Sequence, residues 1–253
     1  MGSTADRMTA AYLDAFESLV GVTPKGWYAE GGTARAAVTR SDVPLLNAAY
    51  DMTPEPDLGS LNEMATEVGS QGVRWSIMVR RAAGDAVVDL AARHGLVERS
   101  DVPLLACAAG DLVFRSSAAQ RQLVRQVGAV KSDIYTEVLA QGFEAPESIF
   151  GPLMGGGVLD AASMAGYLAE ESGRPVGTGF GIRTPDAIGV YNIAVVPSSR
   201  GRGLGRAITE AVLHDGVAAG AEWAYLLPSV MGRPLYESMG FRLVTSWTMF
   251  TAR

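Results

Sequence analysis

The chain has 253 residues, of which 48% are apolar and 19% charged, enough material for two small folded units with buried cores. Its net charge of −6 gives no general attraction to polyanions, which argues against nucleic acid or an anionic membrane as the main partner. No apolar stretch approaches the ~20 residues of a membrane-crossing helix, and no basic head precedes a long apolar region as in a secretory leader. A cytoplasmic location is expected.

In the first half, Met8 to Leu19 predicts an amphipathic helix and Ala34 to Val38 a strand. Val43–Tyr50 and Leu58–Val68 predict helices, the second ending near Gly69. Val73 to Val79 alternates in the manner of a strand. Ala86 to His94 predicts a helix closed by Gly95, and Val102 to Cys107 another strand. Ser116 to Gln120 is small and polar, which places a domain junction there, with domains at 1–116 and 117–253. The first carries 15 acids against 10 bases, the second 12 against 11.

In the second half a strand is expected at Gln122–Val127, and helices at Ser132–Gln141 and Pro146–Leu153. The flexible Gly155–Gly157 follows. Strands are expected at Met164–Ala169, Val176–Ile182 and Gly189–Val196, then a long helix over Gly203–Ala219. Trp223–Leu227 reads as a strand, Pro234–Met239 as a short helix and Arg242–Phe250 as a final strand. Trp75 and Trp223 each open a strand–helix–strand unit with a glycine before its last strand. A tandem repeat and coincidence account for this equally well.

Cys107, the single cysteine, excludes an internal disulfide and reads as a core residue. His94 and His214 stand apart from any cysteine or carboxylate pattern, so no metal site is expected.

The informative segment runs from Tyr191 to Ala219. A strand meets Pro197, which has no N–H for regular pairing. Then come Arg200-Gly201-Arg202-Gly203-Leu204-Gly205-Arg206 and a periodic apolar helix. A helix start offers unpaired N–H groups and partial positive charge, and glycines let an anion approach the backbone. Three arginines add charge beside it. The pattern predicts a cradle for two linked phosphates. It is neither a Walker loop, because no Gly-Lys-Ser/Thr follows, nor a good Rossmann fingerprint.

Val196-Pro197-x-x-Arg200-Gly201-Arg202-Gly203-Leu204-Gly205 resembles the acyl-CoA-binding motif of the GNAT superfamily, Arg/Gln-x-x-Gly-x-Gly/Ala. Leu235-Tyr236-Glu237-Ser238-Met239-Gly240-Phe241 is similar to that family's Leu-Tyr-x-x-x-Gly-Phe element. The resemblance covers about residues 121–253. It implies an α/β (α+β) fold: a GNAT-like mixed twisted sheet with flanking helices, preceded by a smaller α/β domain that, if GNAT-like, is a degenerate repeat without the phosphate motif.

The resemblance also implies an acetyl-CoA-dependent N-acetyltransferase acting on a primary amine of a small molecule by direct attack. The donor would lie between the strand ending at Val196 and the strand starting at Trp223. Backbone groups at Ala194, Val195 and Val196 would hold the pantetheine arm, and Arg200, Gly201, Arg202, Gly203, Leu204, Gly205 and Arg206 the pyrophosphate. Ser229 would stand where the family often has an asparagine, and Tyr236 would protonate the departing thiolate. The general base stays open among Asp186, Glu144, Glu147 and ordered water. The oligomeric state also stays open, with a homodimer allowed. Two rivals remain: a non-catalytic acyl-CoA-sensing module, and an acyltransferase with another donor such as aminoacyl-tRNA, which the negative charge disfavours.

Overall fold

A computed structural model describes residues 2–80 and 83–253. Its first helix, α1 (Thr4–Val22), begins at Ser3, whose side chain accepts from the Asp6 N–H in a capping box. Met8, Ala11, Tyr12, Ala15, Phe16 and Leu19 recur at helical spacing and are all buried. The first half continues as β1 (Trp27–Gly31), β2 (Ala34–Val38), β3 (Asn47–Asp51), α2 (Leu58–Gly69), β4 (Ser76–Arg80), α3 (Asp85–Arg93) and β5 (Glu98–Ala108). A short helix α4 (Ala118–Gln122) and strand β6 (Val124–Val127) join the halves. The second half runs through α5 (Ser132–Phe143), α6 (Gly151–Met154), β7 (Met164–Glu171), β8 (Arg174–Arg183), β9 (Ala187–Val195), α7 (Leu204–Ala218), β10 (Trp223–Leu226), α8 (Arg233–Glu237) and β11 (Arg242–Thr251).

The order from β1 to β5 is repeated from β7 to β11: three strands, a helix, a strand, a helix, a strand. Within each copy the third and fourth strands pair in parallel, Ala48 with Ser76 in one and Ala187 with Trp223 in the other. Every other pairing among the described residues is antiparallel, so the sheet is mixed.

The two copies share one eleven-stranded sheet, in the order β1-β2-β3-β4-β11-β5-β10-β9-β8-β7-β6. The last strands are exchanged. β11 lies between β4 and β5, with Met249 opposite Met78 on one side and Ser100 on the other. β5 lies between β11 and β10, with Leu105 opposite both Leu243 and Leu226. A strand in this position satisfies its N–H and C=O groups only through the other half.

Helix α7 covers one face of the sheet. Gly179 and Gly181 on β8 let it close in: a Cβ on Gly179 would stand 2.4 Å from Ile208, and one on Gly181 2.9 Å from Val212. Helix α1 lies on the opposite face and spans both halves. Its Tyr12 ring packs 4.7 Å from Trp247 of β11, and Tyr225 of β10 donates a hydrogen bond to the Ala11 carbonyl at 3.1 Å.

Two sequence expectations are corrected and one strand is new. Val43–Tyr50, read as a helix, is a 3-10 turn over Pro44–Leu46 followed by β3. This strand is buried along its whole length between β2 and β4, so its apolar run lacks the alternation that marks a half-exposed strand. The helix expected at Pro146–Leu153 is broken into a 3-10 turn at Glu147–Ile149 and α6. β1 carries no clear strand signal and was not anticipated. The polar stretch at 116–120 leads into α4, which Ser117 and Gln120 cap reciprocally.

Expression of residues 1–116 without the remainder is expected to give an aggregating or unfolded chain, because β5 would lose both neighbours and β4 would become an edge. Co-expression with residues 117–253 is expected to recover a soluble complex on gel filtration. A monomeric, cooperatively melting 1–116 fragment would contradict the exchanged pairing.

Candidate active site

Strands β9 and β10 pair only from Ala187–Trp223 to Gly189–Tyr225, yet β9 continues to Val195. Beyond Gly189 the two strands part. The β8–β9 register shifts between Thr178 and Phe180, and Asn192 takes φ +52° there, so a bulge bends β9 inside the gap. The Val196 N–H donates to the Val176 carbonyl at 2.9 Å. Antiparallel ladders alternate every two residues, so Ala194 also faces β8 while Val195 faces the gap. This corrects the expectation that the N–H groups of Ala194 and Val196 reach a ligand: the ladder to β8 takes them, and Val195 is the residue aimed inward.

The gap opens beside the start of α7. Gly201 and Gly203 take φ +77° and +81°, in the left-handed region that favours glycine. Gly203 is the cap residue and supplies no side-chain bond, and the first helical bond is Ala207 N–H to the Gly203 carbonyl. Among the described residues, the N–H groups of Gly201, Arg202, Gly203, Leu204, Gly205 and Arg206 therefore meet no protein acceptor. Six consecutive unpaired donors at a helix N-terminus form an anion cradle.

The three arginines, expected to add charge beside a phosphate, are each engaged by neighbouring groups of the protein. Arg200 donates from Nε to the Val195 carbonyl at 3.0 Å, from one terminal nitrogen to the Gly142 carbonyl at 2.8 Å, and pairs with Glu144 at 3.1 Å. Arg202 pairs with Glu171 at 3.1 Å and donates to the Ser198 carbonyl. Arg206 donates to the Ser238 hydroxyl and stands 3.9 Å from Glu210. Each guanidinium fastens the loop to a neighbouring element, which leaves the backbone as the donor surface. Gln120 of α4 adds a bond to the Arg202 carbonyl at 2.8 Å. Buried Glu210 on α7 accepts the N–H groups of Arg115 at 2.7 Å and Ser116 at 3.1 Å, tying the connecting segment to the same helix.

A cleft of about 460 Å³ occupies the gap. Tyr236 and Ser229 border it from the β10 side, Asn192 and Tyr191 from β9, and Phe143 and Phe150 from the α5–α6 region. Tyr236 is buried, its ring edge-on to Phe241, and among the described residues its hydroxyl has no hydrogen-bond partner. Burial pushes its phenol from 10.0 up to about 12. The Ser229 hydroxyl accepts the Gly232 N–H at 3.0 Å and shapes the turn into α8.

No Asp, Glu, Lys, Arg or His lines this cleft. Asp186 binds Arg7 at 2.7 Å beside the paired end of β9, six residues and roughly 20 Å along the strand from Asn192. Glu144 is held by Arg200 on the cradle side. Glu147 is exposed, next to the cleft-lining Ile149. The sequence offered no signal for the residues that reach in from the first half: Tyr12 of α1 with Val43, Leu45 and Leu46. They belong to the site only through the packing of α1 across β9 and β11.

The corresponding place in the first half is closed to anions. Asp57 caps α2 through the Gly59 N–H at 3.0 Å, and buried Asp51 accepts the Asp57 N–H at 3.0 Å and the Thr33 hydroxyl at 2.6 Å. Carboxylates occupy the donors that α7 leaves open.

The remaining candidates lie elsewhere. Cys107 is buried and its thiol is pushed up to about 11 by burial. His94 contacts Asn62 at 3.0 Å and His214 is exposed. Among the described residues no group of three or more His, Cys, Asp and Glu side chains is arranged to hold a metal, and no helix is long and apolar enough to cross a membrane.

A mixed sheet parts beside an uncapped, glycine-rich helix start, an arrangement able to receive an anionic ligand. Residues 163–243 match the family model described as an acetyltransferase (GNAT) domain. A mycothiol acetyltransferase of Thermomonospora curvata is 42% identical over 79 residues, a stretch that spans 30% of this chain and 27% of that protein. The structure resembles a GCN5-related N-acetyltransferase from Kribbella flavida over 100% of this chain and 96% of that one, with a TM-score of 0.70 and 19% identity. It also resembles a GCN5-related N-acetyltransferase from Sphaerobacter thermophilus over 86% and 76% of the two chains, with a TM-score of 0.56 and 16% identity. The match to the acetyltransferase-domain model is confined to the second half, and the likeness of fold extends over the whole length of the chain.

Proposed function

We propose that the protein is an acetyl-CoA-dependent N-acetyltransferase that modifies a primary amine of a small molecule in the cytoplasm. Residues 117–253 carry the transfer and residues 1–116 shape the acceptor side. The observation that carries this reading is the run of unpaired N–H groups from Gly201 to Arg206 at the mouth of the gap that Tyr236 borders. These donors suit a pyrophosphate, and the Val195 N–H suits the amide-bearing arm that follows it.

The amine nitrogen attacks the thioester carbon, forming the C–N bond as the C–S bond breaks. Tyr236 supplies a proton to the departing sulfur, a role suited to a neutral phenol facing the cleft. The nitrogen's surplus proton leaves through water, since no carboxylate lines the cleft. That same lack of a carboxylate favours the second reading, a module that binds acyl-CoA without transferring the acyl group.

A thermal shift with acetyl-CoA separates a filled cradle from an empty one. At one hundred times its dissociation constant, a ligand specific for the native state adds about 2.7 kcal/mol of apparent stability. The wild type is expected to show such a shift and Gly203→Glu to lose it. No shift at saturating acetyl-CoA would overturn the donor assignment.

The pH profile tests Tyr236. Burial raises its pKa to about 12, so the proton-donating form persists through neutral and mildly alkaline pH. The rate is expected to rise as the acceptor amine loses its proton, with no falling limb below about pH 11. Tyr236→Phe is expected to lower kcat about a hundredfold with little change in the KM for acetyl-CoA. A falling limb near pH ~9, or an unchanged kcat in the variant, would remove Tyr236 from the proton-donor role.

A further inference from the structure

The cleft continues past Asn192 into a second, narrower chamber of about 60 Å³. Tyr12, Leu46, Leu153, Tyr191 and Asn192 form walls of both spaces. The chamber is closed at its far end by Phe16 and Leu19 of α1 and by Phe180 and Ile182 of β8. At ~10–15 Å³ per water-sized volume, it has room for roughly four to six heavy atoms. No residue of β10 or α8 lines it. It therefore lies away from Tyr236, on the sheet face opposite the α7 cradle.

Two features define what enters. First, neither space is lined by Asp, Glu, Lys, Arg or His. A polyamine or an aminosugar carries several cations, and desolvating them here without a carboxylate costs several kcal/mol each. Second, the junction between the spaces carries one polar group with spare capacity, the hydroxyl of Tyr12. Tyr12 is 3% exposed, and among the described residues its hydroxyl has no hydrogen-bond partner. The Asn192 amide, by contrast, is engaged, donating to the Met154 thioether at 3.3 Å and hydrogen-bonding the Tyr135 hydroxyl. Neighbouring Tyr191 is not available either, because its hydroxyl lies 2.9 Å from that of Tyr225, which in turn donates to Ala11.

We propose that the acceptor is a monoamine with an apolar alkyl or aryl body, which seats in the chamber between α1 and β8 while the hydroxyl of Tyr12 positions its nitrogen at the junction. This rests on the acyltransferase reading of the same cleft. It makes Tyr12, contributed by the first half, a positioning residue for a reaction whose donor is held by the second.

The test compares 3-methylbutylamine with spermidine as acceptors, following CoA release, in wild type, Tyr12→Phe and Leu19→Ala, with acetyl-CoA binding measured separately by thermal shift. The wild type is expected to favour 3-methylbutylamine by about tenfold or more in kcat/KM. Tyr12→Phe is expected to raise the KM for the amine about tenfold while leaving the acetyl-CoA shift in place. Leu19→Ala enlarges the chamber and is expected to move preference toward the bulkier 2-phenylethylamine. Rescue of folding is not at issue for Tyr12→Phe, which removes one unpaired oxygen.

If acetyl-CoA binds but spermidine is preferred, or neither amine is acetylated, the proposal is overturned. It is also overturned if amine structure has no effect while hexanoyl-CoA outperforms acetyl-CoA, because the chamber then holds the donor's acyl tail. If acetyl-CoA itself fails to bind, the underlying acyltransferase reading falls, and the acceptor proposal with it.

Discussion

The exchange of the two final strands governs the arrangement of everything else. β5 hydrogen-bonds to β10 and β11, and β11 to β4 and β5, so the backbone of each half is satisfied through the other. Such pairing does not tolerate a one-residue slip, because that would turn buried Trp247 and Phe250 toward the wrong face. The sheet is thereby continuous, and α1 lies in a fixed place across β9 and β11. That placement brings Tyr12 and Phe16 to the wall of a cleft whose floor belongs to the second half.

The two halves then diverge by electrostatics at equivalent positions. Both carry a strand followed by a helix beside a parallel strand pair. At α2 the helix start is capped by Asp57 and backed by Asp51, which neutralise the positive helix end within the protein. At α7 the cap is Gly203, with no side chain to compete. The arginines around it pair with Glu144, Glu171 and Glu210 or with carbonyls, so they hold the loop rigid while the N–H groups stay open. An anion site built from fixed backbone dipoles needs little reorganisation on binding.

Much of this was legible in the sequence, unevenly. The glycine spacing at 201–205 with its preceding proline pointed to the uncapped start of α7, because left-handed backbone and an uncapped helix start have a local residue signature. Tyr236 followed from its motif, and its burial agrees with a protonated phenol. The exchange of strands was illegible: β5 and β11 read correctly as strands, but strand pairing is a long-range choice that no local pattern encodes. For the same reason the contribution of Tyr12, Val43, Leu45 and Leu46 to the cleft could not be seen, and β3 was mistaken for helix because burial on both faces erases alternation. Of the backbone groups expected at Ala194, Val195 and Val196 only that of Val195 faces the gap, because the β9 bulge and register are tertiary features.

Hydrogen exchange with and without acetyl-CoA tests most directly that one donor site exists and that it lies at the β9–β10 gap. The account requires ligand-dependent protection of amides in 193–206, where the unpaired donors lie, and none in 51–59, where carboxylates already occupy the helix start. Protection confined to 51–59, or absent from 193–206 under saturating acetyl-CoA, would contradict it.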